Sequence, residues 1–356
     1  MKIYTIKDIA RLAGVSVTTV SRVLNNRPDV NQETRKRVER IIEECHFVGN
    51  ANARSLKQSN EVIGLVIRGR SNPFLNSLAE AILDHADSIP ESFVTDYIDE
   101  RDDEFQTALR LTRTNHVKGL IFVGSLIDAR VSAIHGLDIP TVFTTVNAVN
   151  AALPRASSVA VDDRAMGRLI GEELVSLGHR KVAVFGSNPV AGDSLAMRFQ
   201  GFLEAFSARG LSFDQDLYRE CRFSYEAGYE AALAFFQVHP EVTALFAMSD
   251  TVAVGAIRAL HDLQRKVPDD VSIVGFDGID ISRFTVPRLT TVEQPVDEIA
   301  SRSVRLLQDM MEKKAVPRHI LVDATFHRRE SVGRLNCPAP PKNVSEQSSY
   351  KESDHL

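Results

Sequence analysis

TIKDIARLAGVSVTTVSRVL, residues 5–24, carries the strongest local signal in the chain: two short helices joined by a tight turn. Thr5 is placed to cap the first helix, with Asp8 three residues on, and Ile6, Ile9 and Leu12 recur at helical spacing as one apolar face. Gly14, between Ala13 and Val15, supplies the turn because glycine tolerates left-handed backbone. Ser16 then caps a second helix. Val20 and Val23 turn inward against Ile9, Ala10 and Val15, leaving Val17, Thr18, Ser21 and Arg22 on the outer face. That face has the shape and chemistry to enter a DNA major groove, although a helical hairpin with a solvated polar face reads the same way. A third helix, Gln32 to His46, capped by Asn31, offers Val38, Ile41 and Ile42 to complete a three-helix core.

Charge agrees with a nucleic-acid partner at this end. Residues 1–60 hold eleven Lys/Arg against six Asp/Glu, an excess of five positive charges on a chain whose net charge is −5, so the remainder carries ten excess negatives. A basic segment on an acidic body concentrates attraction for phosphate and discourages non-specific coating of DNA.

At 356 residues the chain is long enough for two or three cores, and no apolar run approaches the roughly 18 residues of a membrane span. The start, MKIYTIKDIARLAG, has charges at Lys2, Lys7 and Asp8 and no continuous apolar stretch, so a cytoplasmic protein is expected. Cys45, Cys221 and Cys337 are too far apart for a metal or redox pair and read as structural thiols.

Beyond residue 60 the pattern changes. Strand-like runs recur at 62–67, 119–124, 141–146, 181–186, 244–249 and 271–276, separated by helix-period stretches such as AMGRLIGEELVSLG and TVAVGAIRALHDL. Short apolar runs alternating with helices predict parallel sheets covered on both faces, with ligands received beyond the carboxyl ends of the strands. The tail NCPAPPKNVSEQSSYKESDHL is rich in Pro, Ser and charge, and disorder is expected there.

The ordered series TIKDIARLAGVSVTTVSRVLN, NANARSLK, IGLVI, SNPF, LGHRKVA, SIVGFD and LTTVEQP resembles the lactose/purine repressor family from about Met1 to Gly333. The resemblance implies an all-α helix-turn-helix head and an α/β sensor of two doubly wound parallel-sheet lobes, periplasmic-binding-protein-like. It implies a head at 1–49, a hinge helix and linker at 50–60, and a sensor at 61–333, with a tail at 334–356. Lobe one would comprise about 61–160 and 292–320, lobe two about 161–291 and 321–333. The chain crosses between lobes near Val161, Thr291–Pro295 and His319–Val322.

Residue by residue, Val17, Thr18 and Arg22 match base-reading positions, and Arg22 can bond guanine bidentately. Thr5, Ser16, Thr19, Ser21 and Asn25 match phosphate-contacting positions. Asn50 to Lys57 match the hinge helix, with Leu56 at the minor-groove wedge and Ala53 where paired hinges touch. Gly49 stands where the family usually has proline, which loosens that junction.

For the effector, the resemblance implies a pocket formed by Ser71, Asn72, Phe74, Arg198, Ser249, Phe276 and Asp277. Arg198 and Asp277 suit adjacent hydroxyls, while Phe74 and Phe276 suit either a sugar face or the core. Asp250 is equally a helix cap or a ligand contact. Ser249 replaces a common amide, and Thr145-Val146 replaces a common Asp-Arg pair, which removes two sugar-binding charges. Arg68 and Arg70 are either surface residues or a positive rim favouring a sugar phosphate.

No catalytic motif accompanies these features, and no enzyme activity or cofactor is expected. The expected partners are double-stranded operator DNA, a second copy of the chain and a sugar, sugar phosphate or related metabolite, with no membrane. A protein co-regulator acting through the same DNA-binding role is the alternative.

Overall fold

The computed structural model describes residues 6–24, 30–45, 61–86, 89–150, 153–187, 194–312 and 316–335. Thr5, Asn25, Asn50, Ala53 and Leu56, together with Gly49, the expected hinge helix and the tail from Asn336, lie outside the described residues. The chain divides into two compact units, Met1–Glu61 and Val62–Leu356.

In the first unit, α1 (Ile6–Ala13), α2 (Val17–Leu24) and α3 (Gln32–Glu44) close around Ile9, Ala10, Ala13, Val20, Val23 and Val38. Gly14 has φ +62°, the left-handed turn its position requires. Ser16 Oγ accepts from Thr19 N at 3.1 Å and Asn31 Oδ1 from Glu33 N at 2.8 Å, so both expected caps are made. Leu12 corrects the expected apolar face of α1. It is 51% exposed, because Ala13, one residue further around the helix, takes the inward position with Ile9 and Ala10.

The second unit holds two six-stranded sheets. Lobe one contains β1 (Glu61–Arg68), β2 (Ser92–Ile98), β3 (His116–Val123), β4 (Thr141–Thr144), β5 (Ala156–Val161) and, from much later in the chain, β11 (His319–Val322). Its order is β11-β5-β4-β3-β1-β2, and the pairs β1–β2, β3–β4, β4–β5 and β5–β11 are parallel. Lobe two contains β6 (Val182–Gly186), β7 (Tyr218–Glu220), β8 (Ala244–Ala247), β9 (Ser272–Asp277), β10 (Thr290–Glu293) and β12 (Thr325–His327), ordered β12-β10-β9-β8-β6-β7. Only its edge pair β10–β12 is antiparallel among the described pairs.

The flanking helices are α4 (Pro73–Ala86), α5 (Glu104–Thr114), α6 (Asp163–Ser176), α7 (Ser194–Ser207), α8 (Tyr225–Val238), α9 (Asp250–Asp262) and α10 (Val296–Met311). Helix α10 packs on α4, β3, β4 and β5, and so belongs to lobe one. Three chain crossings follow, after Val161, after Glu293 and after Val322. Strands β10 and β11 therefore stay whole, each ending two residues beyond the boundary drawn from sequence. Leu335, expected in the tail, is still tied to lobe two, its N–H donating to Leu177 O at 2.9 Å.

Helices α6 and α7 lie backbone against backbone. A Cβ on Gly167 would sit 1.9 Å from Arg198 O, and one on Gly201 1.9 Å from Arg164 O, so these two positions exclude every side chain. This contact sets the first turn of α6 beside Arg198.

Candidate functional site

A cavity of about 780 Å³, part of it open to solvent, lies among the loops that follow the strands of both lobes. Its mixed apolar and polar wall suits a small organic ligand. Lobe one contributes Arg68, Asn72, Phe74, Glu100 and Ser125, while lobe two contributes Ser194, Arg198, Phe223, Met248 and Asp277. Gln294, at the second crossing, joins them.

Asn72 is buried before α4 and lines the cavity, and its Oδ1 accepts from Phe74 N at 3.0 Å, which caps the helix. Phe74 is also buried, with its ring shared between the core of lobe one and the wall. Arg198 donates from Nε and Nη2 to Asp163 Oδ1 at 3.1 and 2.7 Å and from Nη1 to Met248 O at 2.6 Å. Its guanidinium carbon lies 3.3 Å from the centroid of the Phe276 ring.

Asp277 ends β9 with φ +116°, a conformation a non-glycine residue adopts under strain. Its Oδ2 accepts from Ser249 Oγ and its Oδ1 from Gln294 Nε2, both at 3.0 Å. Burial pushes its carboxyl up to about 6, against the pull of Arg198 and these two bonds. Asp250 lies behind it. Burial, reinforced by the Asp277 charge, raises that carboxyl well above the usual range, while its oxygens accept from Gly278 N, Ile279 N and Thr291 Oγ1. Thr145, across the cavity, is a β-branched residue at φ +69°. Strain on both walls is consistent with residues held for a ligand rather than for stability.

The sequence-predicted residues therefore divide. Asn72, Phe74, Arg198 and Asp277 line the cavity. Phe276 is fully buried beneath Arg198, so the core reading of that ring applies. Ser249 caps α9 through Thr251 N and orients Asp277 instead of forming wall. Ser71 is exposed outside the lining. Asp250 fits neither of its two sequence readings, since Ser249 takes the cap and Asp250 binds the loop after β9.

Arg70 is exposed and donates to Tyr97 O at 2.8 Å. Arg68 is 5% exposed, with Nη2 3.4 Å from the buried Glu104 Oε1, so it is no surface residue. Burial raises the Glu104 carboxyl, and Arg68, Ser125 Oγ and Leu126 N oppose that rise. Glu100, Ser125, Ser194, Phe223 and Gln294 escaped sequence reasoning. The first follows β2, a half-buried strand without the continuous apolar run that marked the others.

In the head, Val17 (41% exposed), Thr18 and Arg22 share the outer face of α2, with Ser21 half-buried beside them. Ser16 and Thr19 stand at its N-terminus, where backbone N–H groups and the helix dipole favour an anion such as a phosphate. Among the described residues no group of three or more His, Cys, Asp or Glu is placed to hold a metal, and no helix is long and apolar enough to cross a membrane.

Residues 5–50 match the family described as bacterial regulatory proteins, lacI family, and residues 171–332 match the periplasmic binding protein-like domain. The HTH-type transcriptional regulator MalR of Clostridium butyricum is 32% identical over 333 residues, spanning 92% of this chain and 98% of its own length. A structure of the lac repressor dimer bound to operator and the anti-inducer ONPF superposes with a TM-score of 0.77 at 26% identity, covering 93% of this chain and 100% of that one. A complex of the transcriptional regulator CelR with cellobiose gives a TM-score of 0.68 at 26% identity, covering 92% and 99%.

Proposed function

Because the chain belongs to the lacI family of bacterial regulatory proteins, we propose that it is a transcriptional repressor that binds a palindromic operator as a dimer and answers to a small effector in the inter-lobe cavity. The observation that carries the DNA-binding half is the outward row Val17, Thr18 and Arg22 on a helix whose opposite face, Val20 and Val23, is buried. Arg22 reads a guanine through O6 and N7; Val17 offers apolar contact to a thymine methyl. Ser16, Thr19 and Ser21 hold phosphates and orient the head. Thr5 and Asn25 join that set, and Asn50, Ala53 and Leu56 form the hinge contact with the central minor groove.

For the effector half, the support is a cavity whose walls come from both lobes, so a bound ligand bridges them and changes the angle between them. The relative with cellobiose in its complex is consistent with a sugar or a sugar derivative here. A second copy is supported by a loop of lobe two that leaves Ile281, Phe284 and Val286 exposed, the last two at 75% and 90%. The protein acts in the cytoplasm, where its DNA is.

Selection of bound sites from random duplex DNA tests this reading. An inverted repeat should emerge, and Arg22→Ala should lose about 1–3 kcal/mol of specific binding with relaxed preference at one guanine per half-site. Equal losses on every sequence would assign Arg22 to phosphate, and failure to enrich any repeat would remove the operator reading.

A further inference from the structure

The three chain crossings all lie at one edge of each sheet: they leave or enter β5 and β11 in lobe one and β10 and β12 in lobe two. Strands β2 and β7 form the opposite edges. Strand β2 lies four strand spacings from β5, and β7 four from β10, which at about 4.8 Å per spacing puts them roughly 19 Å from the crossings. A rotation of the lobes about the crossings therefore moves these two edges furthest.

The loops that follow the two far edges are bonded to each other. Arg222, after β7, donates from Nη2 to Asp99 Oδ2 and brings Nε to 3.5 Å from Glu100 Oε2, both carboxylates following β2. One guanidinium thus serves two carboxylates across the gap between lobes. Its hydrogen bond is the main cause that holds the Asp99 carboxyl below the usual range. Each arm is braced by its own lobe. Behind Arg222, Cys221 N donates to Gly186 O at 2.8 Å and Ser224 N to Arg222 O at 3.0 Å. Behind the carboxylates, Asp99 N donates to Asp102 Oδ2 at 2.9 Å, Arg101 N to Asp99 Oδ1 at 3.2 Å, and the buried Arg68 bonds the Glu100 carbonyl. A half-exposed ion pair usually gives back its gain as lost freedom, and this bracing reduces that loss.

The tie also borders the cavity, because Glu100 and Phe223, next in the chain to Asp99 and Arg222, line it. A rotation of about 10° at that radius separates the far edges by about 3 Å, more than a hydrogen bond tolerates. The pair is therefore made in one lobe arrangement and broken in a slightly wider one.

We propose that Arg222, with Asp99 and Glu100, is an ionic latch that opposes separation of the two lobes at the edge furthest from the chain crossings. Ionic strength and any ligand that bridges the lobes then act on the same angle. The latch stands on the two-lobed fold alone, whatever the effector is. An exposed pair of this kind shifts such an equilibrium by about twofold to fivefold, and salt screens it.

The test is a pulsed electron paramagnetic resonance distance measurement on the full chain. Nitroxides are carried by keto amino acids at the exposed positions Gln106 of α5 and Glu230 of α8, and the labelled chain is diluted into unlabelled chain. In about 0.05 M salt, Arg222→Gln should raise the ratio of long to short distances by about twofold to fivefold, and about 1 M salt should do the same to the unaltered chain. Reversing the charges, with Arg222→Glu, Asp99→Arg and Glu100→Gln together, should return the distribution to that of the unaltered chain. Arg258→Gln, which breaks an ion pair within α9, should leave it unchanged. A distribution unmoved by Arg222→Gln overturns the latch. One unmoved by salt overturns its ionic character, as does a charge reversal that leaves the lobes as far apart as Arg222→Gln does. The salt series uses no variant at the latch, so it decides even where a substitution disturbs folding.

Discussion

Each lobe buries one arginine beside the cavity and holds it with a carboxylate at the first residue of a helix: Glu104 opens α5 in lobe one, and Asp163 opens α6 in lobe two. A helix N-terminus favours a negative charge, so both carboxylates gain from position as well as from pairing. The likeness ends there. Asp163 takes two N–H groups of Arg198 at 2.7 and 3.1 Å, whereas Glu104 Oε1 stands 3.4 Å from Arg68 and has Ser125 Oγ at 2.7 Å and Leu126 N at 3.0 Å as its nearer donors. Lobe two owes its tighter pair to the glycine-mediated contact of α6 with α7, which brings the backbone of Arg198 against Gly167. In lobe one, Arg68 comes from the end of a strand, and neither its Nε nor its Nη2 makes a hydrogen bond. The same charge chemistry thus gives a fixed platform in one lobe and a looser wall in the other.

The largest effect should separate the two pairs. Asp163→Asn leaves Arg198 buried without its counter-charge, and about 3–5 kcal/mol of unfolding free energy should be lost in a urea titration. Glu104→Gln keeps an acceptor for Ser125 and Leu126 and should cost about 1–2 kcal/mol. Equal losses would erase the distinction between the lobes.

A smaller effect, with a sign set by pH, belongs to Asp277. Its folded value of about 6 lies above an unfolded carboxyl near about 3.9, so the folded state binds the proton more tightly between those values. The contribution to stability is therefore full below about pH 4 and is lost as pH rises through about 6. At pH 7.5 the ionised, buried carboxylate opposes folding. Asp277→Asn should then stabilise the protein by about 1–2 kcal/mol, after the loss of one of its two hydrogen bonds. Thermal melts at pH 4 and pH 7.5 check this, since the gain should vanish at the lower pH. A variant equally destabilised at both would mean that Ser249 and Gln294 make the carboxylate a net structural asset.

What could be read in the sequence follows the same contrast between contiguous and assembled features. The head was legible because turn, cap and core lie within one stretch; Gly14, Ser16 and the Val20–Val23 face behave as their spacing implies. Six strand runs were legible because strands buried on both faces are continuously apolar. Strand β2 was not: SFVTDYI buries only Ile98 fully, and with it went Glu100. In the cavity, it was the family resemblance and not spacing that singled out Arg198 and Asp277, and neither could show that Asp163, thirty-five residues before Arg198, would neutralise it. Arg68 was misjudged for the same reason, because its partner Glu104 lies on a different element.

The smallest expected effect tests whether the lobes communicate through this wall. Ser194 Oγ, at the start of α7, donates to Thr145 O of lobe one at 2.6 Å, beside the strained backbone after β4. It is a neutral contact between lobes, distinct from the charged pairing of Arg222 with Asp99. Ser194→Ala should remove about 1 kcal/mol from this contact between lobes, and amide exchange along Ser194–Arg198 and around Thr145 should rise about fivefold. Exchange in the core strand β8 should not change. If exchange rises only in lobe two, Ser194 serves its own helix, and lobe closure depends on Arg222 and the ligand. If it rises on both sides of the cavity, the looser wall of lobe one is held partly by the rigid platform of lobe two, and a ligand that bridges them would act on an equilibrium already poised by this one hydroxyl.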